Sequence, residues 1–192
     1  MILTVDVGNS NIAFGIWDGD GWIDHWRLHT DPDQTADGYF VLFRNLIELS
    51  GHRLAKIERT VVSSVVPGLT PAIVSVASRL TLQEPLVVSR DIRTGLNPDA
   101  PIPAELGSDL LANAVAAYRR FGAPAIVVDF GTALSFTAIS GSGEILGVNI
   151  APGLRSALRS LSASTSQLPI VDLAPPPNAL PRTTEHAIQG GI

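Results

Sequence analysis

The sequence predicts an α/β fold, and three observations carry that reading. Extended apolar runs alternate with amphipathic helical patterns along the 192 residues. One extended pattern, an apolar run ending in Asp-x-Gly, occurs twice. Hydrophobic residues make up 45% of the chain against 16% charged, and mean hydropathy is +0.27, so a real core can be buried.

The duplication comes first along the chain. Leu3-Thr4-Val5-Asp6-Val7-Gly8-Asn9-Ser10 aligns with Ile126-Val127-Val128-Asp129-Phe130-Gly131-Thr132-Ala133, at a constant offset of 123 residues. A second apolar run follows each, at 12–17 and 134–139. Each then reaches a polar turn, Asp18-Gly19-Asp20-Gly21 or Ser140-Gly141-Ser142-Gly143. Strand, glycine-containing tip and strand make a β-hairpin, used twice. Backbone N–H groups at such a tip can cradle phosphate, and the Asp at the strand end can hold a cation directly or through water. A single Asp-x-Gly is ordinary turn chemistry. Two copies in register point instead to a pair of hairpins that grip a nucleotide's phosphates from both sides of a cleft.

The remaining elements follow in order. Residues 22–28 read as a third extended stretch. Thr30-Asp31-Pro32-Asp33 introduces a helix with Tyr39, Phe40, Phe43, Leu46, Ile47 and Leu49 at mostly 3–4 spacing, stopped by Gly51. Residues 59–66 form a buried strand that Pro67-Gly68 breaks. Pro71 belongs to the first turn of a helix reaching about Leu80, and 86–88 form a short strand. A Pro- and Gly-containing stretch, 95–107, joins the two halves. Ser108 caps a helix over 109–120 with an apolar stripe of Leu111, Ala114, Val115 and Tyr118, ended by Gly122 and Pro124. After the second hairpin, 147–153 leads into a helix over about 154–161, and Pro-rich 174–181 is a loop. Thr183-Thr184-Glu185 opens a helix that has barely begun at Ile192, so the native polypeptide is expected to continue.

Composition removes several functions. The net charge is −5, Lys56 is the lone lysine and no basic run exists, which argues against a nucleic-acid partner. An acidic protein that handles nucleotides must neutralise phosphate locally, with backbone N–H groups and metal ions. The absence of cysteine excludes disulfides, thiolate catalysis and Cys-ligated zinc. No G-x-x-x-x-G-K-[ST], H-E-x-x-H or G-x-S-x-G is present. His25, His29, His52 and His186 are scattered and read as surface or capping residues. No secretory signal and no membrane-length apolar run are visible, so a soluble cytoplasmic protein without a membrane partner is expected.

With these residues in place, the sequence resembles the type III pantothenate kinases, members of the superfamily of acetate and sugar kinases, actin and heat-shock chaperone ATPases. The resemblance rests on Asp6-Val7-Gly8-Asn9-Ser10, Ser63-Ser64-Val65-Val66-Pro67, Gly107-Ser108-Asp109 with Asn113-Ala114-Val115-Ala116-Ala117, and Asp129-Phe130-Gly131-Thr132-Ala133. Ile150-Ala151-Pro152-Gly153-Leu154 and Leu168-Pro169 continue it. It implies two RNase H-like lobes in an actin-like ATPase fold, with mixed sheets flanked by helices: 1–106, and 107–192 with its C-terminal part missing. It implies ATP-dependent phosphorylation of pantothenate, the first step towards coenzyme A. It also implies Mg²⁺, a monovalent cation (K⁺ or NH₄⁺), and a homodimer whose interface helps form the pantothenate pocket.

The roles it implies are specific. Asp6, Val7, Gly8, Asn9, Ser10, Asn11, Ile12 and Ala13 form the first ATP loop, with Asp6 reaching Mg²⁺ through water, since Mg²⁺ keeps several of its waters. Thr132 contacts ATP and Asp129 holds the monovalent cation. Asp109 accepts the proton of the substrate hydroxyl, while Gly107, Ser108, Asp109, Leu110 and Thr184 contact substrate. Phosphoryl transfer needs alignment and charge neutralisation more than a strong base, so one carboxylate suffices. By residue alone, Asp109 could equally serve the macrodipole of its helix.

The chain also departs from the family pattern. Leu110 stands where an Arg normally follows the catalytic Asp, and a charge-assisted hydrogen bond is lost with it. Ala100 replaces a pocket tyrosine, Gly147-Val148 a Gly-Gly pair, and Thr137 an Asp. ATP-side residues are kept while substrate-side residues differ. Three readings follow: a pantothenate pocket rebuilt around another arginine such as Arg155 or Arg182, a kinase for another hydroxylated acceptor, or a weakly active relative that binds ATP as a regulatory or accessory protein.

Overall fold

Side-chain alternation decides the first sheet. In the computed structural model, which describes residues 1–192, β1 (Ile2–Val7) sends Leu3, Val5 and Val7 to one face and Ile2, Thr4 and Asp6 to the other. In β2 (Asn11–Trp17), Ile16, Phe14 and Ile12 stand across from those three apolar residues. β3 (Trp22–His29) pairs antiparallel with β2. β4 (Arg59–Ser64) pairs parallel with β1, and β5 (Leu86–Val87) parallel with β4. The order β3-β2-β1-β4-β5, three antiparallel strands continued by two parallel ones, is the RNase H-like sheet expected of the first lobe.

The apolar face is covered by α1 (Ala36–Leu49) and α2 (Thr70–Thr81), which bury Tyr39, Phe43 and Ile47, and Ile73, Val76, Ala77 and Leu80. Phe14 stacks between Phe43, at 4.1 Å between ring centroids, and Trp26, at 5.0 Å. Such aromatic pairs add about 0.5–1.5 kcal/mol beyond area burial. α1 starts later than its sequence suggests. Asp31 Oδ1 accepts the Asp33 N–H in a turn of its own, and Thr35 is the cap, accepting the Gly38 N–H at 3.1 Å. Leu49 falls off the i, i+4 stripe and is exposed. β4 stops at Ser64, two residues short of expectation, because the Ser64 hydroxyl bonds Val66 and Thr70 and turns the chain into α2.

Residues 88–107 hold no helix or strand, and α3 (Ser108–Phe121) follows them. The Arg119 guanidinium presses against Gly95, whose φ of +77° suits glycine. The chain separates into two units, Met1–Arg120 and Phe121–Ile192. The division expected from sequence, at 106/107, falls before α3. The bonds that Ser108 makes to β4 account for α3 grouping with the first unit.

The second unit opens with an antiparallel meander of β6 (Ala125–Phe130), β7 (Ala133–Ile139) and β8 (Ile145–Pro152). β8 was not among the expected elements, since 147–153 read only as an approach to a helix. Yet the offset of 123 that aligns the two Asp-x-Gly motifs also carries Trp22–His29 onto Ile145–Pro152. The first tip has three residues, 8–10, and the second has two, 131–132; the far turns reverse this, 18–21 against 140–144. The ladders therefore correspond: Val5, Phe14 and Trp26 lie abreast in one, Val128, Phe136 and Asn149 in the other. α4 (Leu154–Ser164) and α5 (Thr184–Gly190) complete the unit.

Burial separates the two repeats. Leu3, Val5 and Val7 are 0%, 2% and 0% exposed, whereas the aligned Ile126, Val128 and Phe130 are 70%, 43% and 68% exposed. The face that α1 and α2 cover in the first unit is open in the second. No helix is long and apolar enough to cross a membrane.

Candidate active site

The first tip is a tight turn in which the Gly8 N–H donates to the Asn11 carbonyl at 3.0 Å. A Cβ on Gly8 would stand 3.1 Å from that same oxygen, closer than side chains are ordinarily tolerated. Thr30, buried at the end of β3, holds the turn from behind. Its hydroxyl donates to the Gly8 carbonyl at 2.6 Å and its N–H to the Ser10 carbonyl at 3.1 Å. Asp6, Asn9 and Asn11 are exposed, and Ser10 and Ala13 half-buried. Val7 and Ile12 are wholly buried under the helices, so only their backbone can meet a ligand. Thr30 carried no signal as a loop support, because it read as the start of a helix.

The second tip is braced differently. The Gly131 N–H donates to the Ala133 carbonyl at 3.0 Å, and the Thr132 carbonyl accepts from the Gly153 N–H at 3.1 Å and the Ser156 hydroxyl at 2.9 Å. The start of α4 thus sits on the tip. A Cβ on Gly153 would collide with the Gly131 carbonyl and stand 2.5 Å from that of Thr132. Asp129 is half-buried opposite Ser135, and Thr132 is exposed. Gly153 lay within a recognised motif, but its function as a contact for the tip, and that of Ser156, was not foreseen.

Ser108 was expected to cap α3, but it is the first helical residue and its hydroxyl points to β4 instead. Ser108 Oγ accepts the Ser64 N–H at 2.9 Å, donates to the Ser64 carbonyl at 3.0 Å and lies 3.1 Å from Ser63 Oγ. Gly107 takes the capping position, its carbonyl accepting the Leu111 N–H at 3.0 Å. Asp109 Oδ1 accepts the Leu110 N–H at 2.7 Å and lies 2.5 Å from where a Gly107 Cβ would be, so only glycine leaves the carboxylate in this position. A carboxylate offers about four acceptor sites, so this bond leaves capacity for a substrate hydroxyl.

The first unit brings Asp6 and Asp109 to a common scaffold. β1 and β4 run parallel with Asp6 beside Ser63 and Val7 beside Ser64, and Ser108 bonds both serines. Asp129, Thr132 and Thr184 belong to the second unit. Thr184 is exposed in the first turn of α5, after Thr183, whose hydroxyl accepts the His186 N–H at 3.3 Å. Of the departures, Leu110 and Ala100 are half-buried and Thr137 is buried within β7. Arg155 and Arg182 are both exposed, Arg155 in the first turn of α4. No group of three or more His, Asp or Glu could hold a metal ion.

Comparison with known proteins covers the whole chain. A family model described as type III pantothenate kinase matches residues 2–192. The chain is 42% identical over 192 residues to a type III pantothenate kinase from Moorella thermoacetica, covering all of this chain and 76% of that protein. It is 39% identical to the protein of the same description from Myxococcus xanthus, again over all of this chain and 75% of the relative. Among solved structures, a conserved protein from Campylobacter jejuni described as of the Baf family of transcriptional activators matches at 20% identity and a TM-score of 0.57. That match covers 99% of this chain and 73% of the other, and it supports the fold alone.

Proposed function

The chain belongs to the type III pantothenate kinase family, and from that premise we propose how its residues carry out ATP-dependent phosphorylation of pantothenate, in coenzyme A biosynthesis. The observation that carries the reading is the family match over residues 2–192, which includes every residue given a role here. The primary hydroxyl oxygen of pantothenate attacks the γ-phosphorus of ATP, its proton passes to the Asp109 carboxylate, and the bond to the ADP oxygen breaks. Gly107 and Ser108 orient the acceptor beside Asp109 through their backbone, and Thr184 adds a contact to it.

The 6–13 turn binds phosphate with the side chains of Asn9, Ser10 and Asn11, while Val7 and Ile12 contribute through backbone. Thr132 contacts ATP from the second tip. The residues present fit a Mg²⁺ ion held mainly by phosphates and water, for which one exposed carboxylate, Asp6, is enough. When bound, Mg²⁺ neutralises charge on the phosphates. Asp129 holds the monovalent cation, K⁺ or NH₄⁺. The protein works in the cytoplasm as a homodimer; light scattering at the 20.2 kDa of one chain would count against the dimer.

Leu110 favours a second reading, a relative that binds ATP without turning over pantothenate, or one that phosphorylates another acceptor. One assay separates them: ADP release with and without pantothenate, and with and without potassium. Pantothenate-dependent release supports the kinase, and ATP binding without it supports the second reading. Asp109→Asn is expected to slow transfer by about 10²–10⁴-fold while ATP affinity stays unchanged.

A further inference from the structure

We propose that Ser108 is a positioning residue, its hydroxyl fixing the Asp109 carboxylate relative to the Asp6 turn through Ser63 and Ser64. The inference rests on the assignment of Asp109 as proton acceptor. A serine hydroxyl has one donor and two acceptor sites, and β4 uses all three. Ser108 Oγ donates to the Ser64 carbonyl, accepts the Ser64 N–H, and accepts from the Ser63 hydroxyl, all within 3.1 Å. None of this serves the helix: the Leu110 N–H goes to Asp109 and the Leu111 N–H to Gly107. The strand end that receives Ser108 is itself held. The Thr70 hydroxyl donates to Ser64 Oγ at 2.8 Å, and the Val65 N–H donates to the Val7 carbonyl at 3.0 Å.

β4 also lies directly beside the first nucleotide turn. Ser63 is the register partner of Asp6, on the same side of the sheet, and neighbouring strands are about 4.8 Å apart. One peptide bond therefore separates Asp109 from a side chain locked to the two residues abreast of Asp6 and Val7. In-line transfer depends on such placement, where a shift of about 1 Å can cost on the order of 10²-fold. The hydroxyl supplies the alignment that the proton acceptor cannot supply for itself.

The test compares Ser108→Ala, Ser108→Thr, Ser63→Ala and Asp109→Asn in the full chain, measuring kcat, KM for ATP and melting temperature. Ser108→Ala is expected to lower kcat by about 10- to 100-fold with KM for ATP unchanged and melting temperature lowered, because the Ser64 N–H and carbonyl lose their partner, and Ser108→Thr to restore most of both losses. Ser63→Ala, which removes a single bond and leaves Ser64 engaged, lowers kcat less and in the same direction. Parental kcat in Ser108→Ala, with Asp109→Asn inactive, overturns the positioning role and leaves Asp109 in place. Parental turnover in Asp109→Asn overturns both. Should Ser108→Ala melt too early to assay, Ser63→Ala decides: a kcat loss at unchanged melting temperature supports the proposal, and a parallel fall in ATP affinity and stability overturns it.

Discussion

The Thr30 hydroxyl donates to the Gly8 carbonyl at 2.6 Å, tying the residue after β3 to the tip between β1 and β2. The same residue's N–H reaches the Ser10 carbonyl, so one buried threonine closes the turn at two points. Thr30→Val keeps the shape but leaves the Gly8 carbonyl unpaired, a loss of about 1–3 kcal/mol. Titration calorimetry is expected to show ATP bound about tenfold more weakly; parental affinity would remove Thr30 from support of the turn.

Gly153→Ala tests the second tip. Its Cβ meets two backbone carbonyls that cannot rotate away, and overpacking of this kind costs about 1–3 kcal/mol. Gly141→Ala is the control, because its nearest neighbour lies 4.0 Å away. The urea midpoint is expected to fall for the first and hold for the second.

Leu110→Arg addresses the missing charge beside Asp109. A hydrogen bond to a charged group contributes about 1.5–3 kcal/mol, or about 10–100-fold in kcat/KM. The gain should appear with pantothenate and vanish with an acceptor that lacks a carboxylate. No gain with pantothenate would mean that the pocket has been rebuilt around a different residue.

Acid stability follows from Asp24. Its carboxyl is held below the ordinary 3.8, chiefly by the His25 N–H and further by His52, whose Nε2 lies 3.2 Å away. A depressed folded-state value means that the stabilisation is complete above pH 3.8 and is lost as pH falls through the lower native value. Urea midpoints of the parent and Asp24→Asn should differ at neutral pH and converge below that window; a gap that persists there contradicts the assignment.

The open face of β6 should be directly detectable. Ile126, Val128 and Phe130 form a contiguous apolar strip of the kind that binds hydrophobic dyes. Replacing Ile126 and Phe130 together with Thr is expected to reduce dye fluorescence, while the same change at the exposed Leu49 at the end of α1 should not.

Much of the first unit was legible because its signals are local. Alternation in β1 and β2, Pro71 in the first turn of α2 and Gly51 after α1 each act within a few residues. The duplicated Asp-x-Gly was legible for a different reason, since repetition raises a weak motif above turn chemistry. What was missed depends on distant partners. Ser108 has the sequence of a cap, yet β4 lies close enough to take its hydroxyl. Thr30 has the sequence of a helix start, yet its side chain belongs to a turn 22 residues upstream. β8 was hidden by Gly147 and Pro152, which weaken a strand pattern, although the repeat offset had already marked it.

The two meanders differ by one residue at each end of the middle strand, a deletion at the nucleotide tip and an insertion at the far turn. Either change alone would slide β7 past its neighbours and turn every inward side chain outward. Length variation here is therefore tolerated only as a compensated pair. A library that lengthens 140–144 while shortening nothing at 131–132 should yield soluble protein only from members that absorb the extra residue in a bulge, as Leu146 already does between Ile145 and Gly147.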